Sequence, residues 1–342
     1  MSGLVACLAA ALAAGCAAPA AATMADAPSA ADAGGDGRGA TDGAIAPTGD
    51  GSRTGCAAGI QPGEERTCAI TIAGVAREYL VYAPASYDAS TPAALVVDAH
   101  GSSETDHQQA GTAAFLVWPT GLGSGWRLVA DTAGFVVVEP QGIGDAWSET
   151  DTAFVLALPA ELAAAVAIDP ARVYLSGISN GGGLTYWTGC ADAGTFRGFA
   201  PVSGYADATC PVTHAAPILH FATPGDKLVP YAQGQAAMSL WTTAHHCDAT
   251  PVASWQFGGA ATDPRPLCLT SAAPWALQAC RASDPVTTCQ RWTGCDGGAD
   301  TMFCTVPPDN SFDGGTTGGH ILYFNATHLA LAAVAWAMFS EP

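Results

Sequence analysis

Short apolar runs alternate with longer mixed stretches along most of the chain. Ala94–Gly101 (ALVVDAHG) and Gly134–Gly142 (GFVVVEPQG) are apolar runs stopped by glycine, the pattern of strands buried on both faces. Arg172–Gly177 (RVYLSG), Gly198–Gly204 (GFAPVSG) and Pro217–Asp226 (PILHFATPGD) repeat it. Arg77–Pro84 (REYLVYAP) predicts an early antiparallel strand. Thr152–Val166 (TAFVLALPAELAAAV) is a helix candidate in which Pro159 should introduce a kink or mark the start. Thr327–Phe339 (THLALAAVAWAMF) predicts an amphipathic helix capped by Thr327. Buried strands joined through helices predict an α/β fold, a mostly parallel central sheet flanked by helices. No internal repeat is present.

The ends of the chain read differently. Leu4–Cys16 (LVACLAAALAAGC) is a short apolar run ending in small residues, as in an export signal over residues 1–16. It is too short for a permanent membrane helix. LAAGC resembles a bacterial lipoprotein lipobox, which makes Cys16 a candidate lipidated residue. LVAC, ending at Cys7, also fits, but no apolar region precedes it. No Lys or Arg occurs before Arg38, so the usual basic segment is missing. Residues 17–55 are rich in Ala, Gly, Asp, Thr and Pro and read as a disordered tether. The globular domain is expected over 56–342, extracellular, either free or held to the cell envelope through Cys16.

The 342 residues are 49% hydrophobic, enough for a large core, and the formal net charge is −19. A polyanion would be repelled, which excludes nucleic acid as the expected partner. A monomer acting on a small or polymer-linked substrate is expected.

Twelve cysteines minus Cys7 and Cys16 leaves ten. These are Cys56, Cys68, Cys190, Cys210, Cys247, Cys268, Cys280, Cys289, Cys295 and Cys304. An even number in an exported chain points to disulfides. The competing reading is a zinc site at His245–Cys247 (HHC), but no CxxC pair supports it, and no metal is expected. Loop proximity pairs Cys56 with Cys68 and Cys190 with Cys210; the other pairings stay open.

Leu175–Leu184 (LSGISNGGGL) holds the candidate chemistry. Gly177–Gly181 is G-x-S-x-G, directly after a predicted strand and before a predicted helix, the context of a nucleophile elbow. Such a turn strains the serine backbone, so neighbours without Cβ are needed. Ser179 is the candidate nucleophile; a glycine-rich turn without function is the alternative. A serine needs a base, and on an elbow of this kind the chain order is Ser, acid, His. Asp226 ends a predicted strand and is the candidate acid, although PGDK is also good turn chemistry. Asp296, Asp300 and Asp313 follow no obvious strand. Of the later histidines, His320 lies in a glycine-rich loop (GGTTGGHILYF) that could carry an imidazole to the sheet edge. His328 reads as a surface or capping residue, and His245 and His246 sit on a predicted helix. An imidazole base works uncharged, so activity should fall below about pH 6 to 6.5. The oxyanion donors are expected to be the N–H groups of Asn180 and Ser102. His100 is either a second base or a shaper of the HGSS loop, with the second favoured.

Together these stretches resemble a family. REYLVYAPASYD, LVVDAHGSS, GFVVVEPQG, IDPARVYLSGISNGGGLTYW, FRGFAPVSGY, GDKLVPYAQG and GGH occur in the order seen in the feruloyl esterases and polyhydroxybutyrate depolymerases. The resemblance covers roughly residues 70–325. It implies an α/β-hydrolase fold and a Ser179–His320–Asp226 carboxylic-ester hydrolase needing no cofactor, with the His100–Gly101 loop on the oxyanion side. It also implies feruloyl- or acetyl-type cell-wall esters, or hydroxyalkanoate esters, as substrates. A serine peptidase of the same fold and a non-catalytic surface binding protein are the alternatives. Trp147 stands where similar enzymes have a cleft aromatic, so it is expected either to stack on substrate or simply to pack; His100 is grouped with it on the substrate side. There are departures. GGHILYFN lacks the Trp-Pro pair that usually follows the histidine, and ATPGD replaces HGTxD. A cysteine-rich insertion, about Thr250–Thr288, is expected to form a lid or a rim.

Overall fold

The computed structural model describes residues 55–114, 121–207, 209–210, 212–259, 263–271, 274–309, 315–320 and 328–341. All lie in the unit Ser52–Pro342. The export signal, the Cys7 and Cys16 lipoboxes, nearly all of the tether, Asp313, Thr327 and the ILYFN segment after His320 lie outside the described residues.

Valine, isoleucine and alanine runs form the centre of a ten-stranded sheet. Its strands are β1 (Glu65–Ile72), β2 (Val75–Tyr82), β3 (Ala93–Ala99), β4 (Val136–Pro140), β5 (Ile168–Ile178) and β6 (Gly198–Val202), followed by β7 (Leu219–Ala222), β8 (Val252–Phe257), β11 (Thr287–Trp292) and β12 (Thr301–Thr305). Their order across the sheet is β1-β2-β4-β3-β5-β6-β7-β12-β11-β8. The six from β4 to β12 run parallel. The outer strands β1, β2, β11 and β8 join antiparallel. The predicted α/β class and its mostly parallel sheet are therefore present.

Period-two alternation feeds two cores. Ala94 and Val96 of β3 pack with Trp126, Val129 and Ala130 of α2 (Trp126–Ala133) and with α6 (Leu331–Phe339). Leu95 and Val97 face the other way, towards α3 (Thr152–Ala165), α4 (Asn180–Ala191) and α5 (Tyr231–Ala244). One further short helix, α1 (Asp106–Gln109), follows β3. Helices thus cover both faces, which is why the central strands carry no polar alternation.

Three expectations change. Pro159 does not start α3, because the helix is assigned from Thr152 through to Ala165. The final helix begins at Leu331 and is buried almost all round, so it is a core helix and not an amphipathic one. Its Phe339 stacks on Tyr174 at 4.3 Å and its Trp336 packs on Phe135 at 4.2 Å. The cysteine-rich insertion is neither a lid nor a rim as a whole. Its first and last residues form β8 and the start of β11, which extend the central sheet. Between them a small hairpin of β9 (Cys268–Leu269) and β10 (Leu277–Gln278) joins the α2/α6 core through Leu269 and Leu277.

All ten cysteines pair: Cys56–Cys68, Cys190–Cys210, Cys247–Cys295, Cys268–Cys280 and Cys289–Cys304. Cys247 of the HHC stretch is thereby a disulfide partner. Cys289–Cys304 staples β11 to β12 across their paired positions.

Candidate active site

Because β3 to β7 and β12 are parallel, the loops at their carboxyl ends meet along one sheet edge. Ser179, Asn180, Asp226, His320, His100, Ser102 and Trp147 all lie in or just beyond such a loop.

Ser179 follows β5 and opens α4. Its backbone sits at φ 55°, ψ −113°, a conformation that costs a non-glycine residue about 1–3 kcal/mol. Its N–H donates to the Val202 carbonyl of β6 at 2.8 Å, and its own carbonyl accepts from Gly183 at 2.9 Å. The flanking glycines are obligatory. A Cβ on Gly177 would come within 2.4 Å of the Gly181 carbonyl oxygen, and one on Gly181 within 2.3 Å of the Ala99 oxygen. The turn is tight because strand, helix and the β3 loop touch through backbone.

Asp226 closes the turn after β7, its N–H donating to Thr223 O at 3.2 Å. Its Oδ1 accepts from the Leu228 and Val229 N–H groups at 2.8 and 2.9 Å. Its Oδ2 faces His320 Nδ1 at 2.7 Å. Both side chains are buried, with Asp226 8% and His320 5% exposed. With the carboxylate on Nδ1, the neutral ring carries its proton there and keeps the Nε2 lone pair free.

Two glycines bring the acid and imidazole loops together. A Cβ on Gly318 would fall 1.9 Å from the Gly225 carbonyl oxygen, and one on Gly225 2.6 Å from the Gly318 oxygen. Lys227, the single lysine of the chain, strengthens the join. Its N–H donates to Thr317 O at 3.0 Å and its Nζ to Gly315 O at 2.5 Å.

The loop after β3 lies against the serine: a Cβ on Gly101 would be 3.7 Å from Ser179 Cβ. Of three successive N–H groups here, Gly101 donates to Glu104 Oε2 at 2.9 Å and Ser103 to Asp145 O at 2.7 Å. Among the described residues the Ser102 N–H between them has no acceptor, nor has that of Asn180 at the start of α4. Two unspent donors therefore flank the serine.

The expected substrate-side role of His100 is corrected. The ring is fully buried, Nδ1–H donates to Gly101 O at 2.7 Å, and Nε2 accepts from Gly142 N–H at 3.0 Å. Burial pushes its pKa down to about 4. Both nitrogens are committed to backbone, so the ring shapes its loop. Trp147 is only 5% exposed; it packs on the His100 ring at 4.7 Å and donates its indole N–H to His100 O at 2.8 Å. The indole thus packs on the His100 loop.

The remaining candidates fall elsewhere. Asp296 follows β11, which runs antiparallel to β12, so it emerges at the opposite sheet edge and pairs with exposed His246 at 2.6 Å. His245 caps the end of α5, and His328 accepts from the Arg281 guanidinium at 3.0 Å. Glu104 is a residue that sequence reasoning missed. It is buried beside the serine loop, and desolvation first, with Asp98 adding repulsion, pushes its pKa up to about 8 against the Gly101 hydrogen bond.

Comparison with known proteins adds ancestry to this geometry. No protein-family model matches the chain. The bifunctional acetylxylan esterase/xylanase XynS20E of Neocallimastix patriciarum is 30% identical over 181 residues, 51% of this chain and 25% of its own length. Feruloyl esterase C of Emericella nidulans is 26% identical over 196 residues, 55% of this chain and 70% of its own. The poly(3-hydroxybutyrate) depolymerase of Ralstonia pickettii is 32% identical over 100 residues, 25% of this chain and 20% of its own. The chain thus spans only a quarter and a fifth of the first and third of these relatives. Among solved structures, an acetyl xylan esterase from Aspergillus awamori superposes with a TM-score of 0.50 at 14% identity, covering 72% of this chain and 94% of the other. That likeness establishes the fold. The chain is thus a distant homologue of feruloyl esterase C, acetylxylan esterase and poly(3-hydroxybutyrate) depolymerase, with the fold of the acetyl xylan esterase.

Proposed function

We propose that the chain is a carboxylic-ester hydrolase working through a Ser179–His320–Asp226 triad and an acyl-enzyme. The carrying observation is the buried His320–Asp226 bond of 2.7 Å at the same sheet edge as the strained Ser179. His320 Nε2 takes the Oγ proton as Ser179 attacks the ester carbonyl carbon. The carbonyl becomes an oxyanion held by the Ser102 and Asn180 N–H groups. Asp226 stabilises the imidazolium. The carbon–alkoxy bond then breaks, Nε2 returns the proton to the leaving alcohol, and the serine keeps the acyl group. Water enters and attacks the acyl carbon as Nε2 takes one of its protons; the acyl–Oγ bond then breaks, Nε2 returns that proton to Ser179 Oγ, and the acid leaves.

The relatives support plant cell-wall or polyester esters as the substrate class. We take acetyl- and feruloyl-type esters as the first candidates and hydroxyalkanoate esters as the second. Five disulfides suit an oxidising, extracytoplasmic compartment.

A fluorophosphonate probe tests the reading. It should label the wild type at Ser179 by peptide mapping and leave Ser179→Ala unlabelled. Ser179→Ala should also lower kcat on p-nitrophenyl acetate by about 10³-fold or more. Wild-type turnover in that variant would overturn the assignment. Initial rates on methyl ferulate, acetylated xylan and hydroxybutyrate oligomers then rank the acyl groups.

A further inference from the structure

Resting on that reading, we propose that Trp147 is a positioning residue that ties the two oxyanion donors to one another. The loop after β4 is gripped by the loop after β3 and by the start of α4. On the serine side, both ends of the Asn180 amide engage Trp147: its Oδ1 accepts from Trp147 N–H at 2.6 Å and its Nδ2 donates to Trp147 O at 3.1 Å, with a longer 3.5 Å bond from Nδ2 to the Tyr205 hydroxyl. On the other side, the Trp147 indole N–H donates to His100 O at 2.8 Å. Gly142 N–H to His100 Nε2 (3.0 Å) and Ser103 N–H to Asp145 O (2.7 Å) grip the same two loops at further points.

These bonds close a circuit. It runs from the Asn180 backbone through its side chain to Trp147, across the indole to the His100 carbonyl, and along Gly101 to Ser102. Its two ends are the N–H groups that would hold the oxyanion. The indole end of the circuit is dry, because His100 is fully buried and Trp147 is 5% exposed, while the Asn180 and Ser102 ends are half-buried. Buried hydrogen bonds are stiff, since opening one strands a desolvated polar group. The spacing of the donors is therefore set before substrate arrives, and acts on the transition state more than on the ground state. Nothing in this role requires the indole to touch substrate.

Trp147→Phe removes the indole N–H together with part of the ring system, and keeps an aromatic ring against His100. The expected result is a fall in kcat of about ten- to a hundred-fold, with KM within about twofold of wild type. Asn180→Ala, which keeps its backbone N–H, should give a similar fall. The double variant should be little worse than either single one, because the circuit is already open. An unchanged kcat in Trp147→Phe overturns the proposal. So does a raised KM at constant kcat, the signature of a cleft wall, or single effects that multiply in the double variant. If Trp147→Phe does not fold, Asn180→Ala alone decides by the same split. Fluorophosphonate labelling of the wild type separates the two levels. Loss of labelling there would sink the esterase reading itself, whereas a labelled wild type with unaffected variants would sink only the role of Trp147.

Discussion

His320 and Asp226 lie 94 residues apart in sequence and 2.7 Å apart in space, Nδ1 to Oδ2. Two carboxylate oxygens divide the work: one faces the ring, the other is pinned by the Leu228 and Val229 N–H groups. Asp226→Asn keeps the shape but places an amide where the ring's proton should be accepted, favouring the tautomer with a protonated Nε2. We expect kcat on p-nitrophenyl acetate to fall by about 10³- to 10⁴-fold with little change in KM. A loss of less than tenfold would show that Asp226 is only a turn residue.

The acid and imidazole loops meet through glycine backbone. Gly318→Ala would drive a methyl group to within 1.9 Å of the Gly225 carbonyl oxygen, at a φ of +70°. The loops must part, taking His320 from Asp226. Esterase activity should drop by about a hundredfold or more, while disulfide pairing persists by mass mapping. An active variant would mean that the loop contact does not set the triad.

Lys227→Met deletes the Nζ bond to Gly315 O and leaves the backbone bond to Thr317 O. One exposed bond of the two is lost, so the expected effect is mild, a fall in kcat of about two- to tenfold with unaltered labelling at Ser179. Since Lys227 is the only lysine, selective acylation of lysine amines in the wild type should reproduce it. Acylation that leaves kcat intact would refute the link.

Glu104 makes stability depend on pH. The folded carboxyl takes up its proton at about 8, against an ordinary value of 4.5. Between those values the folded protein retains a proton that the unfolded chain has released. This contribution is fully present below about 4.5 and is lost as pH rises to about 8. Glu104→Gln keeps the acceptor for Gly101 and removes the titration. Its urea midpoint should therefore gain on the wild type as pH goes from 4 towards 8.5. His100, with its pKa lowered to about 4 from 6.5, acts in the opposite sense, losing stability as pH falls through that window. Comparing variant with wild type cancels that common term. A midpoint difference that stays constant with pH would refute the assignment.

The disulfides should differ in weight. Cys247–Cys295 encloses 48 residues of sequence separation, while Cys56–Cys68 and Cys268–Cys280 enclose 12. On loop-closure entropy alone the first is worth about 4 kcal/mol and the short ones about 3 kcal/mol. Paired Cys→Ala variants, compared by urea denaturation, should rank in that order. The reverse order would show that native packing around the hairpins outweighs chain entropy.

The elbow at Ser179 was legible from sequence because its causes are local. A buried strand, glycines where a Cβ cannot fit and a following helix all lie within about ten residues. The parallel strands β3 to β7 were legible for the same reason, since burial on both faces leaves unbroken apolar runs. Asp226 and His320 could be ranked only because chain order is constrained in this fold. The outer strands β1, β8 and β11 were not recognised: they mix exposed and buried positions, and much of their apolar content is cysteine and tryptophan. α6 was mistaken for amphipathic because the sequence does not show that a sheet and α2 surround it.

The sequence by itself determined the class of sheet, the strand–turn–helix elbow that holds the candidate nucleophile Ser179 and the pairing potential of the cysteines, all of which follow from short-range pattern and composition. Only the tertiary structure decided what Trp147, His100, Glu104 and the Asn180 side chain do. Their partners lie in other loops, often dozens of residues away, and a hydrogen bond across such a separation exists only once the strands have brought their carboxyl ends to one edge.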